Sequence, residues 1–313
     1  MKAIGIDIGG MSIKIGLCED GKIISRRKVI TTKDYGEAID KTCDAILSIL
    51  NELGITENDI AGIGIGCPGT VTGSQGKIDF LPNLGWKDVY IADSIKKRID
   101  TKIVVSNDAN VAALGENIYG VAKKYDSSVM LTLGTGVGGG IIIDRKLYEG
   151  GESKGAELGH LTLILGGEQC GCGRKGCIEA YASATALMRQ TREEMLLNKD
   201  SLMWKIVDGD IEKVDGKLAF DCEKAGDKSA KKVVDNYVTY LSEAIMNMCN
   251  IFRPQAIVLG GGVSAQGDNL VKRVKAYCEK FNYGYRGAPV PEILCATLGN
   301  DAGIIGASAL VIE

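Results

Sequence analysis

One histidine and three cysteines stand close together in the middle of the chain. The only histidine, His160, is followed after nine residues by Cys170, Cys172 and Cys177 in a C-x-C-x4-C pattern. One imidazole and three thiolates are the ligand set of a closed tetrahedral zinc site, and soft thiolates favour zinc over magnesium or calcium. Chance disulfide-capable pairs or inert buried thiols are the alternative, which the coincidence with the lone histidine disfavours. The spacing therefore predicts a structural Zn²⁺ bound by these four side chains.

Two carboxylates flank this predicted zinc site. Glu157 precedes His160 by three residues, and Glu179 follows Cys177 by two. A metal that fixes His160 and Cys177 also holds both carboxylates near it, because a metal orients the groups around its ligands. Two fixed carboxylates beside an imidazole edge predict a polar pocket.

The first of three glycine turns follows a short apolar run at the N-terminus. Asp7 stands near the end of that run, Gly9 and Gly10 turn the chain, and Lys14 lies on the returning strand. Backbone N–H groups exposed at such a turn can face a phosphate, and a carboxylate beside it can hold Mg²⁺, usually through water. An ordinary tight hairpin with a buried aspartate explains this segment equally well.

The second and third glycine turns occupy residues 134–140 and 260–262. The second connects two predicted strands as the first does, so it is neither a P-loop nor a Rossmann fingerprint. Two such hairpins, one in each half, indicate a duplicated fold that clamps a nucleotide. The third turn follows a strand and could pass beneath an adenine or a ribose.

Asp108 lies at a junction between a predicted strand and a predicted helix, with Asn107 before it and Asn110 after it. A carboxylate there can cap the helix, or it can project into a cleft as a general base. Open α/β sheets bind ligands at the carboxyl ends of their strands. The flanking asparagines favour the functional interpretation. The loops at residues 67–70 and 82–86 are either ligand-facing segments or plain turns.

Composition limits the classes of function. The chain has 313 residues, of which 45% are hydrophobic and 25% are charged, and a formal net charge of -3. These values describe a soluble globular protein with room for two domains and without a basic field for nucleic acid. Ten cysteines, three of them in a metal pattern, indicate a reducing compartment, so we expect a cytoplasmic protein. The N-terminus does not resemble a signal peptide, and no apolar run is long enough to span a membrane.

Apolar spacing predicts the elements that position these residues. Strands are predicted over residues 2–8, 12–18, 22–30, 60–66, 103–105, 129–133, 141–143, 256–259 and 290–295. Helices are predicted over residues 35–53, 89–99, 180–197, 228–251, 268–280 and 301–311. Residues 199–220 have only a weak pattern.

Together these motifs resemble the ROK family of sugar kinases, within the actin-like ATPase and hexokinase superfamily. The resemblance spans nearly the whole chain and rests on Asp7-Ile8-Gly9-Gly10, Pro68-Gly69, Pro82-Asn83-Leu84, Asn107-Asp108-Ala109-Asn110, the segments 133–140 and 170–179, Glu157-Leu158-Gly159-His160 and Gly260-Gly261-Gly262. It implies an α/β, actin-like (ribonuclease H-like) two-lobed fold with duplicated βββαβα-type cores. The implied lobes are residues 1–106 and residues 107–313, with the last helix packing back on the small lobe.

The resemblance also implies an ATP-dependent kinase that phosphorylates a hexose at its 6-hydroxyl. Asp108 would accept the proton of that hydroxyl. His160 would bind zinc through one ring nitrogen and face the sugar with the other. The other implied sugar ligands are Gly69, Asn83, Asn107, Glu157 and Glu179. The implied ligands of Mg²⁺ and ATP are Asp7, Gly9, Gly10, Lys14, Gly134, Thr135, Gly136, Gly261 and Gly262.

Glucose is the expected substrate, because carboxylates such as Glu157 and Glu179 accept hydrogen bonds from a polyhydroxylated ring. N-acetylmannosamine, N-acetylglucosamine and a β-glucoside are the alternatives within the family. A homodimer is expected from the resemblance alone.

A sugar-sensing regulator is the rival interpretation of this chain. The start of the first strand and the residue at position 11 both bear on it. Family repressors carry an added N-terminal helix-turn-helix, for which a first strand that begins at residue 2 leaves no room. We therefore expect an enzyme. Met11 departs from the threonine that family members commonly carry at this position, so the first phosphate loop lacks a hydroxyl.

Overall fold

The computed structural model describes residues 1–283 and 289–312. Its strands, in chain order, are β1 (Lys2–Ile8), β2 (Ser12–Glu19), β3 (Lys22–Ile30), β4 (Ile63–Cys67), β5 (Thr70–Thr72), β6 (Lys77–Leu81), β7 (Trp86–Val89), β8 (Ile103–Asn107), β9 (Ser128–Leu133), β10 (Val137–Ile143), β11 (Lys146–Tyr148), β12 (Ala256–Gly260) and β13 (Glu292–Cys295).

Its α-helices are α1 (Tyr35–Glu52), α2 (Ile91–Lys96), α3 (Asp108–Ile118), α4 (Glu179–Ala182), α5 (Ala184–Leu197), α6 (Leu202–Ile206), α7 (Leu218–Lys224), α8 (Lys228–Phe252), α9 (Asp268–Phe281) and α10 (Ala302–Ala309). Short 3-10 turns connect several of them. In the described ranges, no helix combines the length and the apolar character needed to cross a membrane.

Most of the strands form two five-stranded sheets that have the same internal order. The first is β3-β2-β1-β4-β8 and the second is β11-β10-β9-β12-β13. In the first sheet β2 is antiparallel to β1 and β3, whereas β4 is parallel to β1 and β8. In the second sheet β10 and β11 are antiparallel, and β12 and β13 are parallel. The repeated order confirms the predicted duplicated α/β architecture.

The chain divides into two compact units. Unit 1 contains Met1–Met130, Gly140–Ala156 and Thr297–Glu313, and unit 2 contains Leu131–Gly139 and Glu157–Ala296. The C-terminal helix α10 belongs to unit 1, where it packs against β1 and β4. The division into lobes at residue 106 stays a prediction.

Glycines inside the strands of unit 1 allow α10 to lie directly on the first sheet. A Cβ atom on Gly5 would stand 1.9 Å from the backbone oxygen of Ile304, and one on Gly64 would stand 1.7 Å from that of Ala307. Any side chain at either strand position would therefore push the helix off the sheet. The helix itself contributes small residues, so that its backbone approaches β1 and β4 closely.

Several predicted segments differ from the structure. The strand predicted over 141–143 begins at Val137, so residues 137–140 of the second glycine turn belong to β10. The helix predicted over 89–99 is wrong at its start, because Trp86–Val89 forms β7 in a three-stranded sheet of order β5-β6-β7, and α2 begins at Ile91. The helix predicted over 180–197 is broken at Ser183, whose hydroxyl accepts a hydrogen bond from Ala186 N at 2.9 Å and caps α5. Residues 199–220 contain α6 and the start of α7.

Candidate active site and metal centre

The four side chains predicted to bind zinc converge in unit 2. Their ligand atoms all lie within 4.8 Å of one another. His160 Nδ1 lies 3.7 Å from Cys170 Sγ, and Cys172 Sγ lies 3.7 Å from Cys177 Sγ. Two ligands of a tetrahedral zinc ion, bonded at about 2.1 to 2.3 Å, stand roughly 3.5 to 3.8 Å apart. The donors and their spacing therefore fit Zn²⁺, and Nδ1 is the ring nitrogen that would bind it.

A tight hairpin brings these ligands together. A β-bridge joins Thr162 to Cys177, and the Arg174 guanidinium donates to the backbone oxygen of His160 at 3.1 Å. Gly176 has φ of +82°, and a Cβ there would stand 1.7 Å from the backbone oxygen of Ile164. The sequence did not single out Arg174, because no short motif marks a residue that holds a ligand through its backbone.

The three thiols have different proton affinities before any metal binds. A backbone hydrogen bond from Arg174 lowers the pKa of Cys172. Burial raises the pKa of Cys170 to about 12, and it also raises the pKa of Cys177. Zinc binds thiolates, so its binding releases the protons that these buried thiols hold.

Glu179 connects the metal centre to the second glycine turn. Its Oε1 atom lies 3.4 Å from Cys170 Sγ, and its Oε2 atom accepts a hydrogen bond from Val137 N at 3.0 Å. A Cβ on Gly136 would stand 2.3 Å from the same Oε2. A predicted sugar ligand and a predicted phosphate-binding glycine are thus in contact, and the sequence did not predict this link.

A cavity of about 300 Å³ opens beside this contact. Its lining includes Thr135 of the second glycine turn, Glu179, Ser183 and Arg189 of α5. Thr135 is exposed, so its hydroxyl and backbone are available to a ligand. The backbone oxygen of Gly134 accepts a hydrogen bond from Ala184 N at 2.8 Å, which fixes this turn to the start of α5.

Glu157 and His160 lie at the two ends of one 3-10 turn. His160 N donates to the backbone oxygen of Glu157 at 3.1 Å, and the Glu157 side chain is exposed. A Cβ on Gly159 between them would stand 2.0 Å from the backbone oxygen of Val137. This turn therefore packs against the first residue of β10, next to the second glycine turn.

The third glycine turn packs against the end of β9, the strand that leads into the second glycine turn. Gly261 has φ of +79°, and a Cβ there would stand 2.5 Å from the backbone oxygen of Leu133, the last residue of β9. Gly262 begins the 3-10 turn that follows. Gly261 of the third turn therefore packs against the residue that directly precedes Gly134 of the second turn.

We expect Gly261→Ala to lower the affinity for the nucleotide, because the added methyl group pushes the third turn away from Leu133. Gly267→Ala is the matched control: its φ is +59°, but a Cβ there meets nothing within 4 Å. Both changes carry the cost of a positive φ with an extended ψ, of order 1 to 3 kcal/mol, and only the first adds a steric clash. The KM for MgATP should rise several-fold more for Gly261→Ala than for Gly267→Ala. Equal values for the two variants would contradict this role.

In unit 1 the first glycine turn carries a paired carboxylate. Asp7 and Lys14 lie opposite each other in the register of β1 and β2, and Lys14 Nζ donates to Asp7 Oδ2 at 2.8 Å. The Asp7 side chain is 20% exposed, so it stays accessible from the turn. The pair places one negative and one positive charge beside Gly9 and Gly10, where Mg²⁺ and phosphate are predicted.

A predicted sugar ligand lies next to the first glycine turn. A Cβ on Gly10 would stand 3.4 Å from Cβ of Asn83, whose side chain is exposed. Met11 is 88% exposed. The hydroxyl of Thr31, the residue after β3, donates to the backbone oxygen of Gly9 at 3.0 Å. The first glycine turn therefore has a threonine hydroxyl bound to it, although Met11 within the turn offers none.

Asn107 is the N-cap residue of helix α3. Asn107 Oδ1 accepts a hydrogen bond from Ala109 N at 2.9 Å, and its Nδ2 donates to the backbone oxygen of Gly69 at 3.2 Å. Asp108 is the first helical residue, and its side chain is exposed. Its charge adds to the effect of burial in raising the pKa of Cys67 at the end of β4. Asp108 Oδ1 also accepts a hydrogen bond from Ala109 N, at 2.8 Å. Asn107 is therefore the N-cap residue, and the exposed Asp108 carboxylate shares its donor.

The chain resembles proteins of known class over its whole length. A family model described as ROK family matches residues 3–313. A glucokinase of Halalkalibacterium halodurans is 38% identical, and the match covers 98% of this chain and 94% of that protein. A glucokinase of Thermotoga maritima is 35% identical over 100% of this chain. A solved ROK family glucokinase of Streptomyces griseus, in complex with glucose and AMPPNP, has a TM-score of 0.81 and 32% identity over 99% of both chains.

Proposed function

Because the chain belongs to the ROK family, we propose that it is an ATP-dependent kinase that transfers a phosphoryl group to the 6-hydroxyl of glucose. The observation that carries the proposal is Asp108, an exposed carboxylate at the end of β8 whose helix is already capped by Asn107. A glucokinase of the same family and a similar fold was solved with glucose and AMPPNP, which are the ligand classes proposed here.

Asp108 would act as the general base of the transfer. Phosphoryl transfer requires mainly positioning and neutralisation of charge, with a residue that orients the attacking hydroxyl in line and takes its proton. A carboxylate at the start of a helix can do both, because the helix fixes its backbone and its side chain is exposed. Asn107, Gly69 and Asn83 would bind the sugar from unit 1.

The phosphates would be held by backbone N–H groups of the glycine turns. Gly9 and Gly10 would contribute from the first turn, Gly134, Thr135 and Gly136 from the second, and Gly261 and Gly262 from the third. Mg²⁺, when bound, neutralises the charge that develops on the phosphates, and Asp7 would hold it. Lys14 would add a positive charge next to Asp7, with which it pairs at 2.8 Å.

The zinc centre would position the sugar ligands of unit 2. With Nδ1 directed at the metal, His160 would present Nε2 to a sugar hydroxyl. Glu157 and Glu179 would accept hydrogen bonds from other hydroxyls. Bound Zn²⁺ supplies rigidity in this arrangement, because it joins four side chains of one hairpin.

A coupled assay of ADP release with MgATP tests the proposed activity. The panel is glucose, N-acetylmannosamine, N-acetylglucosamine, mannose, fructose and a β-glucoside. Turnover highest on glucose is expected. Preference for an N-acetyl sugar would overturn the proposed substrate and leave the proposed mechanism, and binding of sugars without turnover would favour a sensor.

We also propose that the protein acts in the cytoplasm as a homodimer and binds no nucleic acid. The resemblance supports the dimer, and a formal net charge of -3 supports the lack of nucleic-acid binding. Light scattering during size-exclusion chromatography should give twice the chain mass of 33.2 kDa. A single chain mass at micromolar concentration would contradict the dimer.

A further inference from the structure

Glu116 is a fully buried carboxylate that no step of the proposed mechanism uses. It lies on α3, eight residues after Asp108, and its exposed fraction is 0%. Burying a carboxylate is costly unless hydrogen bonds compensate for the lost water. Among the residues that the structure describes, no lysine or arginine forms an ion pair with Glu116. Hydrogen bonds to other groups must therefore compensate for the burial of the Glu116 carboxylate.

Four donors surround the Glu116 carboxylate, and three of them tie α3 to the segment before α10. Oε1 accepts hydrogen bonds from the backbone N–H groups of Thr297 and Leu298, both at 2.7 Å. Oε2 accepts from Val121 N at 2.9 Å and from the Thr297 hydroxyl at 3.1 Å. Residues 297 and 298 directly precede the 3-10 turn that leads into α10.

Helix α10 in turn contacts the Asp7 carboxylate. A Cβ on Gly303 would stand 2.7 Å from Asp7 Cγ and 2.9 Å from Asp7 Oδ2. Three residues further along, a Cβ on Gly306 would stand 1.9 Å from the backbone oxygen of Val111 on α3. Helix α10 therefore lies between Asp7 on β1 and α3, the helix that carries Asp108. It contacts both at glycines, Gly303 and Gly306.

We infer that Glu116 is a positioning residue for the proposed transfer, which acts by holding α10 against Asp7. The carboxylate fixes where α10 begins, and α10 limits where the Asp7 carboxylate can lie. All of these contacts are within unit 1. The inference rests on the proposed function, because Asp7 is assigned there to Mg²⁺ and phosphate. It assigns a role to a residue that lies about 12 Å from Asp108 along the helix axis.

The inference predicts a specific kinetic change in Glu116→Ala. The KM for MgATP should rise and kcat should fall, because Asp7 loses its support. A misplacement of about 1 Å can reduce kcat/KM on the order of 100-fold. The KM for glucose should change less than threefold, because Asn83 and Gly69 lie on other elements and Asn107 lies at the far end of α3, where its Nδ2 donates to the backbone oxygen of Gly69. Glu116→Gln keeps an oxygen that accepts from Thr297 N and Leu298 N, but its amide NH2 group cannot accept the hydrogen bond from Val121 N. It should therefore show a smaller change in the same direction.

Asn117→Ala is the matched control on the same helix. Asn117 is also 0% exposed, but its Nδ2 donates to the backbone oxygen of Tyr125 at 3.0 Å and not to the segment before α10. It should lower the melting temperature by a few degrees and leave the KM for MgATP unchanged. Gly303→Ala tests the other end of the path, because its methyl group displaces Asp7 directly and should reproduce the rise in the KM for MgATP.

The experiment measures kcat, both KM values and the melting temperature of all five proteins, at a temperature well below the lowest melting temperature. Activity of the wild type on glucose is measured first, so an inactive wild type would reject the proposed function and not this inference. If Glu116→Ala does not fold, the KM values for MgATP of Glu116→Gln and Gly303→Ala test the inference. A lower melting temperature with an unchanged KM for MgATP in Glu116→Gln and Glu116→Ala would overturn the inference.

Discussion

Replacement of Asp108 by alanine should reduce turnover of glucose by about 10²- to 10⁴-fold, the range expected for loss of a general base. Binding of glucose should persist, because the proposed sugar ligands Asn107, Gly69 and Asn83 remain in place. The melting temperature should change little, since Asn107 continues to cap α3. Kinetics with saturating MgATP and calorimetric titration with glucose measure the two effects separately.

Two further variants sharpen this test. Asp108→Asn preserves the shape of the side chain but cannot accept a proton, so it should lose as much activity as Asp108→Ala. Asp93→Ala removes an exposed aspartate from the first turn of another helix in unit 1, α2, and should retain wild-type turnover. More than a tenth of wild-type turnover in Asp108→Ala would reject the assignment of the base.

The zinc centre could be predicted from the sequence because its information is local. All four ligands lie within one segment of eighteen residues, 160–177, and a C-x-C-x4-C pattern with glycines leaves few other ways to use three thiols. The glycine turns at Asp7 and Gly134 were also predictable, since each directly follows an apolar strand. In these cases the residues that come together are close in sequence, so spacing alone was enough to predict where they lie.

The role of Glu116 could not be predicted in this way. Its partners Thr297 and Leu298 lie 181 and 182 residues away, and a glutamate in a helix most often faces solvent. Gly5 and Gly64 gave the same difficulty, because the helix that requires them lies more than 200 residues further along the chain. Contacts of this kind depend on tertiary packing, and a single sequence does not show which distant segment packs against a given residue.

The small sheet of β5, β6 and β7 was missed for a different reason. Its strands have three, five and four residues, which is too short for alternation of apolar and polar residues to be recognised. Gly76 between the first two strands has φ of +58° and resembles an ordinary loop glycine in the sequence. The consequence was a predicted helix over residues 89–99 whose first residue, Val89, is the last residue of β7.

Loss of one zinc ligand should destabilise the protein and weaken the binding of glucose. Cys172→Ala is the most informative variant, because Cys172 is exposed and its removal leaves no cavity in the core. Structural zinc contributes about 10 kcal/mol or more in small zinc domains, so we expect the melting temperature to fall by about 10 °C or more. The KM for glucose should rise about tenfold or more, because His160 and Glu179 lose their support.

Cys222→Ala is the control for the loss of a thiol in the same unit. Cys222 is 1% exposed on α7, so its removal is the harsher change in packing. Zinc content by mass spectrometry should remain at one atom per chain in this control and fall to near zero in Cys172→Ala. A larger loss of stability in Cys172→Ala than in Cys222→Ala therefore cannot come from packing and must come from the metal.

Zinc removal from the wild type separates the role of the metal from that of the mutated side chain. A chelator selective for transition metals, followed by assay in excess Mg²⁺, should raise the KM for glucose, and added Zn²⁺ should restore it. The KM for MgATP should rise as well, because Glu179 also accepts the hydrogen bond from Val137 N that holds the second glycine turn. Wild-type values of both KM constants in a sample shown to be free of zinc would reject the proposed role, and a rise for glucose alone would limit that role to the sugar side.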